Sequence, residues 1–180
     1  MNYGKILYCD CANGPGLRTT LFVSGCQRHC PGCFNPETWD FNYGHPFTLE
    51  TRVDILMSLN NPDVDGLSIL GGEPLDERNI EDVTALVRFV RNVFPDKSIW
   101  VYTGNTWEEL IDICCVSMNS EKYAYDLSNL LMTIDVLVDG PFVEAEKDIS
   151  LKFRGSRNQR IINTMESIVA GKVVLMEEYM

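Results

Sequence analysis

Three cysteines stand within eight residues, in the segment Cys26-Gln-Arg-His-Cys30-Pro-Gly-Cys33. Thiolates this close can converge on one metal centre if the loop wraps it, and three chemistries fit. A structural zinc ion takes four ligands. The fourth would be His29 or His45, the two histidines of the chain. His29 lies inside the loop, where wrapping turns it away. A conventional ferredoxin cluster takes four cysteines, and no further cysteine follows at suitable spacing. A [4Fe–4S] cluster with three protein ligands leaves one iron open, and an open position is what a catalytic metal site keeps for its substrate. The spacing favours the third chemistry and leaves the other two standing.

Composition bounds the rest. The chain has 180 residues, which suits one domain, 1–180, with a core of its own. Its 15 basic and 26 acidic residues give a net charge of −11, so no nucleic-acid partner is expected. Seven cysteines cannot all pair within the chain. Cys9, Cys11, Cys114 and Cys115 are surplus to the cluster and read as inert thiols. The apolar run Ile6–Cys9 stops at Asp10, too short for a signal-peptide core. No run approaches the ~20 apolar residues of a membrane span. A cytoplasmic location with reduced thiols is expected, where a close cysteine cluster points to a metal or to catalysis.

The elements that must position the cysteines follow from periodicity. Ile6–Tyr8 and Leu17–Ser24 read as strands, then a helix over about 49–59, then a buried strand at Gly66–Leu70. Apolar residues from Ile80 to Phe94 recur at helical spacing, with Asn79 as the expected cap and Pro95 as the stop. Ser98–Thr103 is a strand, and Thr106-Trp-Glu-Glu109 is a capping box opening a helix to about Cys115. A helix over Tyr123–Met132 and a strand at Ile134–Val138 follow. Short strands are expected near Gln159–Ile162 and Gly171–Leu175. Strands alternating with helices argue for a parallel α/β sheet. Glycine-bearing loops follow the strands at Gly25, Gly71-Gly72, Gly104 and Gly140, which predicts one site at the carboxyl ends of the strands.

Cys26-x₃-Cys30-x₂-Cys33 resembles the cluster motif of the radical S-adenosylmethionine (SAM) enzymes. In that superfamily the open iron binds the amino and carboxylate groups of SAM. An electron from the cluster then yields methionine and a 5′-deoxyadenosyl radical. Many members carry an aromatic residue just before the third cysteine; here Gly32 stands there and Phe34 just after, which makes Phe34 the candidate. Asn13-Gly-Pro-Gly-Leu-Arg18 resembles a segment of the glycyl-radical-enzyme activases. Gly71-Gly72-Glu73-Pro74 resembles the segment that contacts the SAM amino group. Asp135-Val-Leu-Val-Asp139-Gly-Pro-Phe142 and Arg154-Gly-Ser-Arg-Asn-Gln-Arg160 resemble later segments of the anaerobic (class III) ribonucleotide reductase-activating protein family.

The resemblance implies that SAM is held by Gly71, Gly72, Glu73, Phe34, Asn13, Tyr102 and Asp139, with Asp139 on a ribose hydroxyl. It implies that the protein substrate is the anaerobic reductase, and that an external one-electron donor such as a flavodoxin is needed. Arg18, Thr103, Asn158 and Gln159 are further candidates. The basic stretch 147–160 would meet the SAM carboxylate or an acidic partner surface. A full (β/α)₈ barrel takes ~250 residues, so the expected fold is a partial, TIM-like parallel barrel of five or six strands. Its open side suits a macromolecular substrate. The alternatives are another small radical SAM enzyme and a zinc- or cluster-stabilised interaction module.

Overall fold

The computed structural model describes residues 1–116 and 121–179. Seven strands form one mixed, open sheet: β1 (Asn2–Asp10), β2 (Arg18–Val23), β3 (His45–Pro46), β4 (Gly66–Gly71), β5 (Ser98–Tyr102), β6 (Val136–Asp139) and β7 (Arg160–Asn163), in the order β3-β1-β2-β4-β5-β6-β7. The expected all-parallel arrangement holds only for the middle strands β2, β4, β5 and β6. β1, β3 and β7 pair antiparallel, and the sheet does not close. Connection length explains this. Parallel neighbours need a crossover of a dozen or more residues, usually a helix. The seven residues between β1 and β2 allow only a hairpin-like return. The β6–β7 link holds a single helical turn at Glu144–Glu146 and no crossover helix.

Alternation along the strands divides the sheet into two faces. Leu21, Val23, Leu67, Ile69, Ile99, Val101 and Leu137 form the main core. They pack beneath α1 (Leu49–Leu59), α2 (Ile80–Val93), α3 (Trp107–Val116) and α4 (Glu121–Leu131). The opposite face carries Trp100, Val136, Val138 and Ile161, joined by Tyr102, Phe153, Met176 and Tyr179. Among the described residues no crossover helix packs on that side, and its upper part forms a cleft. Among the described residues, no helix is long and apolar enough to cross a membrane.

Local signals decide most element ends. Thr106 and Glu109 form the expected capping box: the Thr106 amide donates to Glu109 Oε2 (2.7 Å) and the Glu109 amide to Thr106 Oγ1 (3.3 Å). Asn79 departs from expectation. Its side chain does not cap α2. Instead Nδ2 donates to the carbonyls of Ser24 and Glu73 (3.0 Å each) and ties the end of β2 to the Glu73 loop. The strand expected at Gly171–Leu175 shrinks to one bridge, Ile162 with Leu175. A helix missed by periodicity, α5 (Thr164–Ala170), precedes it; Asn163 caps its first turn and Gly171 ends it at φ 64°.

Candidate active site

A cleft of about 390 Å³ opens at the carboxyl ends of β2, β4 and β5, lined by Phe22 and Tyr102. Cys26, Cys30 and Cys33 all border it, half-buried. Their loop is fixed at its start by two backbone bonds: Gly25 N–H donates to Thr38 O (2.8 Å) and Cys26 N–H to Trp39 O (3.1 Å). Burial pushes the Cys26 thiol above its ordinary value.

The histidines are not placed as fourth ligands. His29 adopts a left-handed φ of 47°, and its ring lies on Trp39 at 4.6 Å between centroids. His45 is in β3, against Tyr3 at 5.8 Å. Neither borders the cleft. Tetrahedral Zn–S bonds of ~2.3 Å hold sulfurs within ~3.8 Å of one another. Among the described residues no three or more His, Cys, Asp or Glu side chains are gathered as the ligands of a single metal ion.

The Gly71-Gly72-Glu73 loop borders the same cleft as the cysteines. Gly71 sits at φ 114°, with a hypothetical Cβ 2.7 Å from Val23 O. A Cβ on Gly72 would lie 2.5 Å from Gly25 O. Both glycines therefore answer first to the backbone of β2 and the cysteine loop, which they approach too closely for a side chain. Two backbone bonds lock this approach: Gly72 N–H to Val23 O (2.7 Å) and Glu73 N–H to Gly25 O (2.8 Å).

Glu73 is buried, and its carboxylate accepts from Leu75 N (3.0 Å), Thr103 Oγ1 (2.8 Å) and Gly104 N (2.8 Å). Arg28 Nε stands 3.8 Å from Oε2. Desolvation outweighs these partners and raises the Glu73 pKa above the ordinary carboxylate value. A cationic ligand group beside it would relieve that cost.

The other walls are Ala12 and Asn13, Phe22, Leu70, Tyr102 and the 140–159 segment. Asn13 donates from Nδ2 to Asp10 Oδ2 (2.7 Å), and its carbonyl accepts from Ser68 Oγ (2.5 Å). Phe34 stands exposed at the rim, 5.0 Å from Phe142 and with Lys147 Nζ 4.8 Å over its ring. Two cleft residues, Tyr102 and Trp39, carry buried donors without a protein partner, the Tyr102 hydroxyl and Trp39 Nε1. Buried donors are nearly always paired. The cleft thus has thiols, a buried carboxylate and two lining residues with orphan donors, a donor set that fits a cluster together with a zwitterionic ligand.

Comparison with known proteins agrees with this donor set. Residues 12–162 match the family model described as "4Fe-4S single cluster domain". The chain is 44% identical over 161 residues to the anaerobic ribonucleoside-triphosphate reductase-activating protein of Escherichia coli K12, covering 88% of this chain and 96% of that one. It is 35% identical over 170 residues to the protein of the same name from phage T4, covering 93% and 97%. The chain belongs to the anaerobic ribonucleoside-triphosphate reductase-activating protein family.

Within this activating-protein family member, two sequence-proposed site residues prove to serve the scaffold. Asp139 does not border the cleft. It is buried, accepts from Trp107 N (2.7 Å) at the start of α3, and pairs with Arg160 Nη2 (2.5 Å) and Nε (3.0 Å). Its carboxylate is committed to a helix end and a guanidinium, not free for a ribose. Arg18, the first residue of β2, is fully buried. It donates to Ser68 Oγ, Ser98 Oγ and the carbonyls of Pro15, Leu67 and Ser98. Burial lowers its pKa to about 10, which still leaves it charged. The Gly14 and Gly16 turns let the 13–18 loop close over Arg18 and Asp65; a Cβ on Gly16 would lie 2.1 Å from Asp65 Oδ2.

Gln159 reaches the cleft; its Oε1 accepts from the amides of Gly155 (2.8 Å) and Ser156 (3.2 Å) and braces the overhanging segment. Asn158 donates to Pro141 O (2.8 Å) outside the lining. Of the basic stretch, Arg157 pairs with Asp148 (2.9 Å) and Arg160 with Asp139 and Glu108. Sequence reasoning missed Arg28, Trp39 and Phe153 as cleft residues. Arg28 lies inside the cysteine motif and Trp39 six residues after it, and that proximity was the available signal. Phe153 arrives from a segment without periodicity.

Proposed function

We propose that this chain activates the anaerobic ribonucleoside-triphosphate reductase as a radical SAM enzyme, with a [4Fe–4S] cluster held by Cys26, Cys30 and Cys33. One observation carries the reading: the three thiols and the Gly71-Gly72-Glu73 loop border a single cleft, in a chain whose relatives are named for this activation. When bound, the cluster supplies the electron that splits SAM into methionine and the 5′-deoxyadenosyl radical that takes a hydrogen atom from a glycine of the reductase.

The chain's own groups bind, orient and exclude water. Glu73 offers its buried carboxylate side to the SAM ammonium while Thr103, Gly104 and Leu75 keep it in place. Tyr102 donates its orphan hydroxyl to the guest, and Asn13 shapes the opposite wall. Phe34, Phe142, Leu151 and Phe153 shield the cleft from solvent. The reductase glycine approaches through the open rim of the sheet. The electron comes from an external one-electron donor such as a flavodoxin.

Anaerobic reconstitution with iron and sulfide, reduction and addition of SAM tests this. Formation of 5′-deoxyadenosine is expected, and a glycyl EPR signal on adding the reductase. Zinc uptake without SAM cleavage would favour an interaction module. SAM cleavage without a glycyl signal would assign a different substrate.

A further inference from the structure

We propose that Trp39 donates its indole N–H to a sulfur of the cluster or of its cysteine ligands, and thereby raises the cluster's reduction potential. This rests on the cluster reading above and adds a tuning residue to it. Trp39 ends the short helical turn Pro36–Trp39, six residues after Cys33. Its carbonyl accepts from the Cys26 amide (3.1 Å), so its backbone is tied to the first cysteine of the motif. Its ring is covered by His29, the neighbour of Cys30, with centroids 4.6 Å apart and planes inclined by 30°. His29 takes up a left-handed φ of 47° in this contact, a conformation that a non-glycine residue adopts at a cost. Trp39 is thus held at both ends of the first cysteine interval, its backbone by Cys26 and its ring by His29, and it borders the cleft with all three thiols.

Nε1 is buried without an acceptor. An indole nitrogen is a donor only and cannot accept a bond to escape that state. The loop that grips it brings sulfur acceptors once its thiols are deprotonated and ligated. A donor to sulfur stabilises the extra negative charge of the reduced cluster more than the charge of the oxidised one, which favours reduction. Trp39 acts here as a tuning residue and takes no part in bond breaking.

The test uses the reconstituted full-length protein. Trp39→Phe keeps an aromatic ring beneath His29 and removes the donor. In an EPR-monitored redox titration without SAM, the reduced-to-oxidised ratio at a fixed potential is expected to fall about tenfold, equivalent to 59 mV for a one-electron couple. Iron and sulfide content should stay at the wild-type level. Trp39→His, which keeps a ring N–H, should recover part of the shift. An unshifted potential in Trp39→Phe with a full cluster overturns the proposal and leaves the functional reading intact. If Trp39→Phe fails to hold a cluster, wild-type protein labelled with heavy nitrogen at indole decides. Hyperfine coupling to the reduced cluster without SAM supports the bond. Its absence, or its appearance only with SAM, refutes it. A chain that takes up no four-iron cluster under any condition overturns both readings together.

Discussion

Replacing Gly72 with Ala should separate the two loops that make the cleft, and the size of the effect follows from one contact. A Cβ on Gly72 would meet Gly25 O at 2.5 Å, Gly25 C at 2.9 Å and Gly25 N at 3.0 Å. All three atoms are backbone, so no side chain can swing away. Restoring an ordinary contact of 3.4 Å requires the loops to part by about 0.9 Å. That movement strains the Gly72–Val23 and Glu73–Gly25 hydrogen bonds, now 2.7 and 2.8 Å. Overpacking costs about 1–3 kcal/mol and each lost backbone bond about 1 kcal/mol, offset by about 0.4–1 kcal/mol of unfolded-chain entropy, for a net loss of roughly 2–4 kcal/mol. A displacement near 1 Å at a reacting centre costs about 100-fold in rate. Anaerobic denaturant titration should therefore show a lowered midpoint. Formation of 5′-deoxyadenosine should fall roughly 10- to 100-fold with the three cysteines intact. Gly171→Ala is the control: φ is 64° but no atom lies within 4 Å, so a loss of about 1 kcal/mol is expected with activity unchanged. Wild-type stability and rate in Gly72→Ala would refute the idea that this close approach sets the cleft.

Other outcomes follow from the same geometry. Cys30→Ala should lose the cluster's visible absorbance and all SAM cleavage; full activity would dismiss the ligand set. Burial holds the Glu73 pKa above its unfolded value, so the folded chain keeps its proton longer, and stability should fall as pH rises through the window just above the ordinary carboxylate range. Glu73→Gln removes that slope, so the wild-type denaturation midpoint should fall relative to that of the variant as pH rises across it; parallel curves would contradict the shift. Asp139→Ala should cost about 2–4 kcal/mol by removing one of the two carboxylates on Arg160 and the acceptor of the Trp107 amide, while thermal scans of reconstituted protein still show a full cluster. Cluster loss in a folded Asp139→Ala would place that carboxylate closer to the chemistry than the structure does. Arg18→Met should destabilise by about 2–4 kcal/mol, since the buried carbonyls of Leu67 and Ser98 lose their donor; an unchanged denaturation midpoint would speak against it.

Much of the site was legible because its key parts are local. Cys26, Cys30 and Cys33 are held by one loop, so their spacing narrows the possible ligand chemistry before any fold is known. Gly71, Gly72 and Glu73 are consecutive, and Thr106 with Glu109 writes a helix start in four residues. The helices α1 to α4 and the strands β4 to β6 also followed from periodicity, because each buries one face against the same core. Strand direction was less legible. Whether β1 and β7 run with or against their neighbours depends on what the connecting chain does, and apolar alternation is the same in both cases.

The sequence by itself determined which candidate metal ligands this protein carries and how they are spaced, since both are properties of a few neighbouring residues. Only the tertiary structure decided which polar groups are left for a guest. Asp139 and Glu73 both follow or end strands, and both are buried acids. Asp139 is taken by Arg160, 21 residues away, and by the end of α3. Glu73 is held by backbone and hydroxyl donors at the edge of the cleft, with its nearest guanidinium 3.8 Å off. A buried charge is neutralised by whichever partner the fold brings to it, and that partner comes from far along the chain.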